Sequence, residues 1–194
     1  VHAERVWEHL LEKGKYVDLT VISTAHHRRI AAGILSWGQD MDFESSPFQV
    51  NLDYQVPRKK TINYIGKEEL ERQRNMIEAG NFPFKMKMVG LVFGGKPVTD
   101  YAPDFWLIHS EDNFEIGYIT SPWWSPELQT NIAMGWVDIS YSALKTKLKV
   151  HLPDMYSIES NVAVDGEVVE IPFRESVNPN VREKLKSNEP SNKS

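Results

Sequence analysis

The residues able to do chemistry are few, and their spacing excludes more than it assigns. His26 and His27 are adjacent, so on a helix their side chains diverge by about 100°. They lack the i, i+4 spacing that brings two imidazoles to one face for a metal ion. His109 and His151 fall on separate expected strands, and no carboxylate completes a ligand set with them. No Ser-His-Asp arrangement is legible. The sequence has no cysteine, which removes disulfides, thiolate zinc sites and cysteine nucleophiles together. No metal and no catalytic residue is therefore assigned.

Three side chains remain as candidates for binding. Arg29 stands beside the small apolar run Ala31-Ala32-Gly33, a face suited to close packing around a ligand; the competing reading is a salt bridge. Trp37 either covers a ligand face or fills a core. Trp123 and Trp124 are read as a loop in which neighbouring side chains point different ways. Trp124 is the candidate to line a pocket, where an indole attracts a methylated cation; otherwise the pair packs a rim. The charged run from Lys67 to Arg74 reads as a solvated helix face.

These side chains are positioned by two kinds of element. Ala3 to Lys13 carries Val6, Trp7, Leu10 and Leu11 on one stripe and ends at Gly14, as an amphipathic helix does. Ser23 or Thr24 is placed to cap a second helix through Ile30 and Leu35, broken near Gly38. A third is expected from Lys67 to Ala79, closed by Gly80. Beyond Pro83 the apolar period changes to two. Strands are expected from Met86 to Phe93, Phe105 to His109, Phe114 to Thr120, Thr130 to Val137, Lys147 to Leu152, Ile158 to Val164 and Val168 to Phe173. Turn signals such as Gly94-Gly95, Ser125-Pro126 and Asp165-Gly166 separate them. The fold class is α+β: a helical, mixed segment over 1–82, then a small antiparallel β-barrel of Greek-key type over 83–175, then a disordered tail over 176–194.

Composition narrows the classes further. Over 194 residues the net charge is −5, so no general attraction for nucleic acid or anionic membrane is expected. No apolar run approaches the ~20 residues of a membrane span, and no secretory leader is legible, so a cytoplasmic protein is expected. Val1 opens directly into a helical pattern without an initiator Met. This reads as a truncated or partial gene product, or else as a processing boundary.

Ordered motifs then carry a resemblance. The stretch Arg28-Arg29-Ile30-Ala31-Ala32-Gly33 with Trp37-Gly38-Gln39-Asp40 resembles the Arg-hydrophobic-Glu-Ala-Gly helix and Tyr-Gly-x-Asp of the glycine-cleavage T-protein family. Pro47-Phe48-Gln49, Tyr64-Ile65-Gly66-Lys67 and Ile116-Gly117-Tyr118-Ile119-Thr120-Ser121 are similar to further family elements, as are Ser125-Pro126, Asn131-Ile132-Ala133-Met134 and Glu170-Ile171-Pro172-Phe173. Their order holds from Ala3 to Phe173. Trp123-Trp124 and the Arg-Arg-Ile start lean toward the dimethylsulfoniopropionate-demethylase-like branch.

The resemblance implies a fragment of a tetrahydrofolate-dependent methyl or aminomethyl transferase. It would comprise the closing part of the folate-binding body and the C-terminal barrel. Tetrahydrofolate is the implied cofactor, with Arg29, Trp37 and Trp124 as candidate contacts and a small methyl or aminomethyl donor as substrate. The general acid or base, and much of the folate pocket, would come from a missing N-terminal half; a homo-oligomer is the other partner considered. Ala31 and Gln49 stand where the family usually has Glu, which removes acceptor charge from the expected pocket. The alternatives are a non-catalytic folate-fold binding module and the folate domain of a sarcosine- or dimethylglycine-type flavoenzyme.

Overall fold

A computed structural model describes residues 2–22, 25–58, 62–102, 104–159 and 162–173. The expected tail from Ser176, and the caps expected at Ser23 and Thr24, lie outside them. Among the described residues three α-helices precede the strands: α1 (Ala3–Gly14), α2 (His26–Ala31) and α3 (Lys67–Glu78). Six strands follow among them: β1 (Met86–Phe93), β2 (Trp106–His109), β3 (Glu115–Ser125), β4 (Thr130–Asp138), β5 (Lys147–Val150) and β6 (Val164–Val169).

The strands close into one barrel in the order β1-β4-β3-β2-β5-β6. The ladders between neighbours are antiparallel. β2, β3 and β4 are consecutive neighbours and β1 returns beside β4, which is the Greek-key connection. Alternation explains how the barrel acquires two cores. Val89, Leu91 and Phe93 of β1 join Ala133 and Val137 of β4, Ile108, Leu148 and Val150 in one buried cluster. The alternate residues Met88, Ile132, Met134 and Trp136 belong to a second cluster with Ile30 of α2, Val50 and Phe173. The helical segment is thus bound to the barrel through a shared apolar layer.

Several local expectations change for physical reasons. α2 ends at Ala31 rather than running through Leu35, because Gly33 takes φ +69°. The Gly33 N–H bonds to the Ile30 carbonyl and the Ile34 N–H to the Arg29 carbonyl, a Schellman closure. Among the described residues the seven expected strands become six, since Asp165-Gly166 lies inside β6 instead of forming a turn; residues 160 and 161 of the strand expected from Ile158 to Val164 lie outside them. Gly166 is needed there for close approach: a Cβ would lie 2.8 Å from Leu148 Cδ1. β3 also extends through Trp123 and Trp124, which the sequence placed in a loop. Pro122 is tolerated because β2 pairs with β3 only as far as Ile119. Beyond that point one edge of β3 is free of β2, and the Trp124 N–H on that side bonds to the Val98 carbonyl at 2.8 Å.

Candidate functional site

The centre of the junction is Asp40, only 1% exposed. Its Oδ2 accepts from Arg29 Nη1 at 2.8 Å and from the Ser36 N–H at 2.7 Å. Its Oδ1 accepts from the hydroxyls of Thr120 and Ser121, each at 2.6 Å. Its backbone carbonyl accepts the Trp136 indole N–H at 2.9 Å. A carboxylate this deep is held by its cation and its several donors. Gln39 adds a further tie, donating to the Thr120 carbonyl at 2.7 Å and accepting from the Tyr101 hydroxyl at 2.8 Å.

Two adjacent strand residues ordinarily point to opposite faces. Thr120 and Ser121 reach the same oxygen because β3 is bulged between them. Ile119 pairs with Gly135 and Ser121 with Met134, leaving Thr120 as the extra residue. The Thr-Ser pair is thereby shaped to receive Asp40 from the loop after α2.

Beside this junction lies a cleft of about 540 Å³ between the 38–49 loop and the outer face of the barrel. Phe105, Tyr118 and Trp136 supply aromatic surface, Asp42 and Glu44 supply carboxylates, and Lys85 supplies a cation. Phe105 and Tyr118 stack at 5.2 Å between ring centroids. Burial, with Asp42 nearby, raises the Tyr118 phenol above its ordinary pKa, so the group remains a neutral donor at pH 7. Gln49 closes one end: its side-chain N–H donates to the Met86 carbonyl at 3.1 Å while its Oε1 accepts from the Ser46 N–H at 3.1 Å. An amide can do both; a carboxylate could only accept.

The three side chains singled out from sequence are not brought together. Arg29 is turned into the junction, with Nη1 also on the Ile34 carbonyl at 3.1 Å and Nη2 on Ser121 Oγ at 2.6 Å. Its Nε meets His26 Nδ1 at 3.5 Å. Trp37 is 57% exposed rather than in a core, edge-to-face with Phe43 at 4.7 Å, and adjoins Gly38 of the cleft wall. Trp124 lies six residues from Tyr118 along β3, about 20 Å by strand rise, and does not line the cleft. Its neighbour Trp123 stacks on His26 at 5.1 Å. Burial, then the Arg29 charge, holds His26 below its ordinary pKa, with Asp40 opposing. The sequence reading missed Asp40, Thr120 and Ser121 as a unit. The signal was present: all three sit in the motifs quoted, and an acid inside an otherwise apolar motif needs a partner.

The fold also joins two histidines that the sequence left apart. His109 and His151 have ring centroids 4.3 Å apart where β2 meets β5. Their Nδ1 and Nε2 atoms respectively are buried without a hydrogen-bond partner among the described residues. Burial, then the neighbouring His109, lowers the pKa of His151. Among the described residues no group of three or more His, Cys, Asp or Glu could hold a metal ion. No helix there is long and apolar enough to cross a membrane.

The fold and junction define an α+β protein in which a helical segment is locked onto a small closed Greek-key barrel. Residues 86–173 match the glycine cleavage T-protein C-terminal barrel domain. The chain is 32% identical over 173 residues to an aminomethyltransferase of Listeria innocua, covering 88% of this chain and 42% of that protein. It is 31% identical over 147 residues to an aminomethyltransferase of Oceanobacillus iheyensis, covering 75% and 37%. A crystal structure of glycine cleavage system aminomethyltransferase T from Bartonella henselae shares the fold, with a TM-score of 0.59 at 20% identity, over 76% of this chain and 37% of that one. The chain belongs to the glycine cleavage T-protein family and represents its C-terminal part. It spans 37–42% of the length of these relatives.

Proposed function

We propose that this chain is the C-terminal portion of a tetrahydrofolate-dependent aminomethyltransferase, and that the cleft beside Asp40 contributes to folate binding. The observation that carries the reading is the lining of that cleft. A reduced pterin presents N–H donors along one edge, a flat ring system and an anionic glutamate tail. Asp42 and Glu44 offer acceptors, Phe105, Tyr118 and Trp136 offer apolar ring surface, and Lys85 offers a cation. The residues present fit such a ligand. The names of the matching relatives favour an aminomethyl over a sulfonium donor.

In this reading folate supplies the nitrogen that receives the one-carbon unit. The chain's own residues bind and orient it. Arg29 acts as a positioning residue: through Asp40 it fixes the loop that forms the cleft wall. Trp37 covers the open side of the bound ring from the loop edge, and Trp124 supports the barrel end rather than the ligand. Residues 1–82 would then complete a folate-binding body whose general acid or base lies in the N-terminal portion of the family fold.

Titration calorimetry with tetrahydrofolate tests this, on the chain alone and in the presence of a T-protein N-terminal portion. Binding with a Kd on the order of micromolar is expected in at least one setting. Asp42→Asn and Tyr118→Ala should each weaken it at least about tenfold, a loss of roughly 1.4 kcal/mol. Silence up to millimolar folate in both settings would remove the reading.

A further inference from the structure

We infer that His109 and His151 form a binding site for a divalent transition-metal ion, on the outer face of the barrel where β2 meets β5. Alternation turns both side chains the same way. Ile108 and Val150 pair across this ladder and fill the core, so their neighbours His109 and His151 stand on the outer face. The His151 N–H donates to the Leu107 carbonyl at 3.0 Å. That bond carries the ladder one residue past β5 and sets His151 diagonal to His109. Aromatic side chains reach across such a diagonal, and here the ring centroids are 4.3 Å apart at an interplanar angle of 58°.

Each ring keeps one nitrogen that nothing serves. Nδ1 of His109 and Nε2 of His151 are buried with no hydrogen-bond partner among the described residues. Buried polar atoms are nearly always paired, so two orphans on contacting rings call for a common partner. A metal ion satisfies both at once. Tetrahedral Zn–N bonds of about 2.0–2.1 Å hold two donor nitrogens about 3.3 Å apart, a separation these rings reach by side-chain rotation. The flanks do not oppose a cation. Lys149 pairs with His109, but its Nζ is engaged by Asp165 at 2.5 Å. On the other side of His109 stands the carboxylate residue Glu115.

The donor type selects the ion. Imidazole suits zinc, copper and nickel, not magnesium or calcium. Two protein donors leave the remaining positions to water or an external ligand, the pattern of an open site rather than a closed structural one. Its position also gives the ion a role. β2 and β5 have four residues each and pair at Ile108↔Val150 and His109↔Lys149, so a metal held by both histidines ties the two shortest strands of the barrel together. The inference rests on the barrel and is independent of folate binding.

Zinc chloride titrated into the full chain by calorimetry tests this. One equivalent should bind with a Kd on the order of 10–100 μM. His109→Gln and His151→Gln should each weaken binding at least about tenfold, since the amide keeps polarity but supplies no imidazole donor. The sequence holds six histidines, so the ion is located separately by NMR of the wild-type imidazoles, which requires no variant to fold. The His109 and His151 resonances should move together with zinc while those of His26 and His27 stay in place. Zinc should also raise the thermal midpoint of the wild type and not of either variant. No binding up to millimolar zinc, binding unchanged in both variants, or resonance shifts confined to other histidines would each overturn the inference.

Discussion

Ser121 Oγ lies 2.6 Å from Asp40 Oδ1 and 2.6 Å from Arg29 Nη2, so one hydroxyl receives from the cation and donates to the anion. The ion pair itself is 2.8 Å long, with the Arg29 side chain 18% exposed and Asp40 fully covered. Removing one partner of such a pair leaves the other charge buried. Arg29→Ala should therefore destabilise the chain by about 3–5 kcal/mol, whereas Ser121→Ala should cost only about 1–3 kcal/mol. Urea unfolding followed by circular dichroism measures both, and equal losses would refute this ordering.

Gly33 and Gly38 separate two reasons for a glycine. Both have positive φ, +69° and +80°, and replacement by Ala should cost about 1–2 kcal/mol at either from backbone strain. At Gly33 a Cβ would also lie 2.2 Å from Ile171 Cγ2, while at Gly38 it meets nothing within 4 Å. Gly33→Ala should consequently lower the thermal midpoint well beyond Gly38→Ala.

Gln49→Glu should destabilise this chain. The carboxylate would face the Met86 carbonyl now served by the amide N–H. A loss of about 1–3 kcal/mol is expected at pH 7. It should shrink toward pH 4 as the new carboxyl becomes protonated and can donate. A loss independent of pH would count against this account.

Stability should fall with acid where the two histidines meet. Burial and the neighbouring His109 lower the pKa of His151 in the folded protein, so the unfolded chain binds its proton more readily. Stability is then full above the ordinary value of 6.5. It declines as pH drops below that value toward the folded pKa. His26 is shifted in the same direction. Thermal midpoints between pH 7.5 and 5 should decline in the wild type and decline less in His151→Leu; identical slopes would exclude His151 as a contributor.

The sequence carried the barrel well because alternation is local. Met86 to Phe93 and Thr130 to Asp138 announce a two-residue period that each strand satisfies with its own neighbours. It misread Asp165-Gly166 because the glycine answers to Leu148 on another strand, which no window around residue 166 contains. The junction was half legible. Arg29, Asp40, Thr120 and Ser121 all stood in recognisable motifs, but the bonds between the loop and the strand cross 80 and 81 residues. Arg29 was read as facing a ligand because a lone cation in a motif shows its charge and not its partner. The Phe105, Tyr118 and Trp136 surface escaped notice for the same reason, being assembled from three different strands or their flanks.

The extra residue at Thr120 also acts as a change of phase along β3. Before it, Ile119 packs with the cluster that includes Leu91 and Tyr118 packs with the cluster that includes Ile30; after it, Trp123 packs with the latter. An uninterrupted strand would give residues 119 and 123 the same face. A regular ladder that kept Thr120 would turn every later side chain of the strand over, sending the Trp123 indole toward the barrel interior and away from His26. Deleting Thr120 would instead leave Ser121 opposite Met134 and Trp123 opposite Ile132, on their present faces. That strand length is a code with odd and even values, and the bulge at Thr120 is where its parity is set.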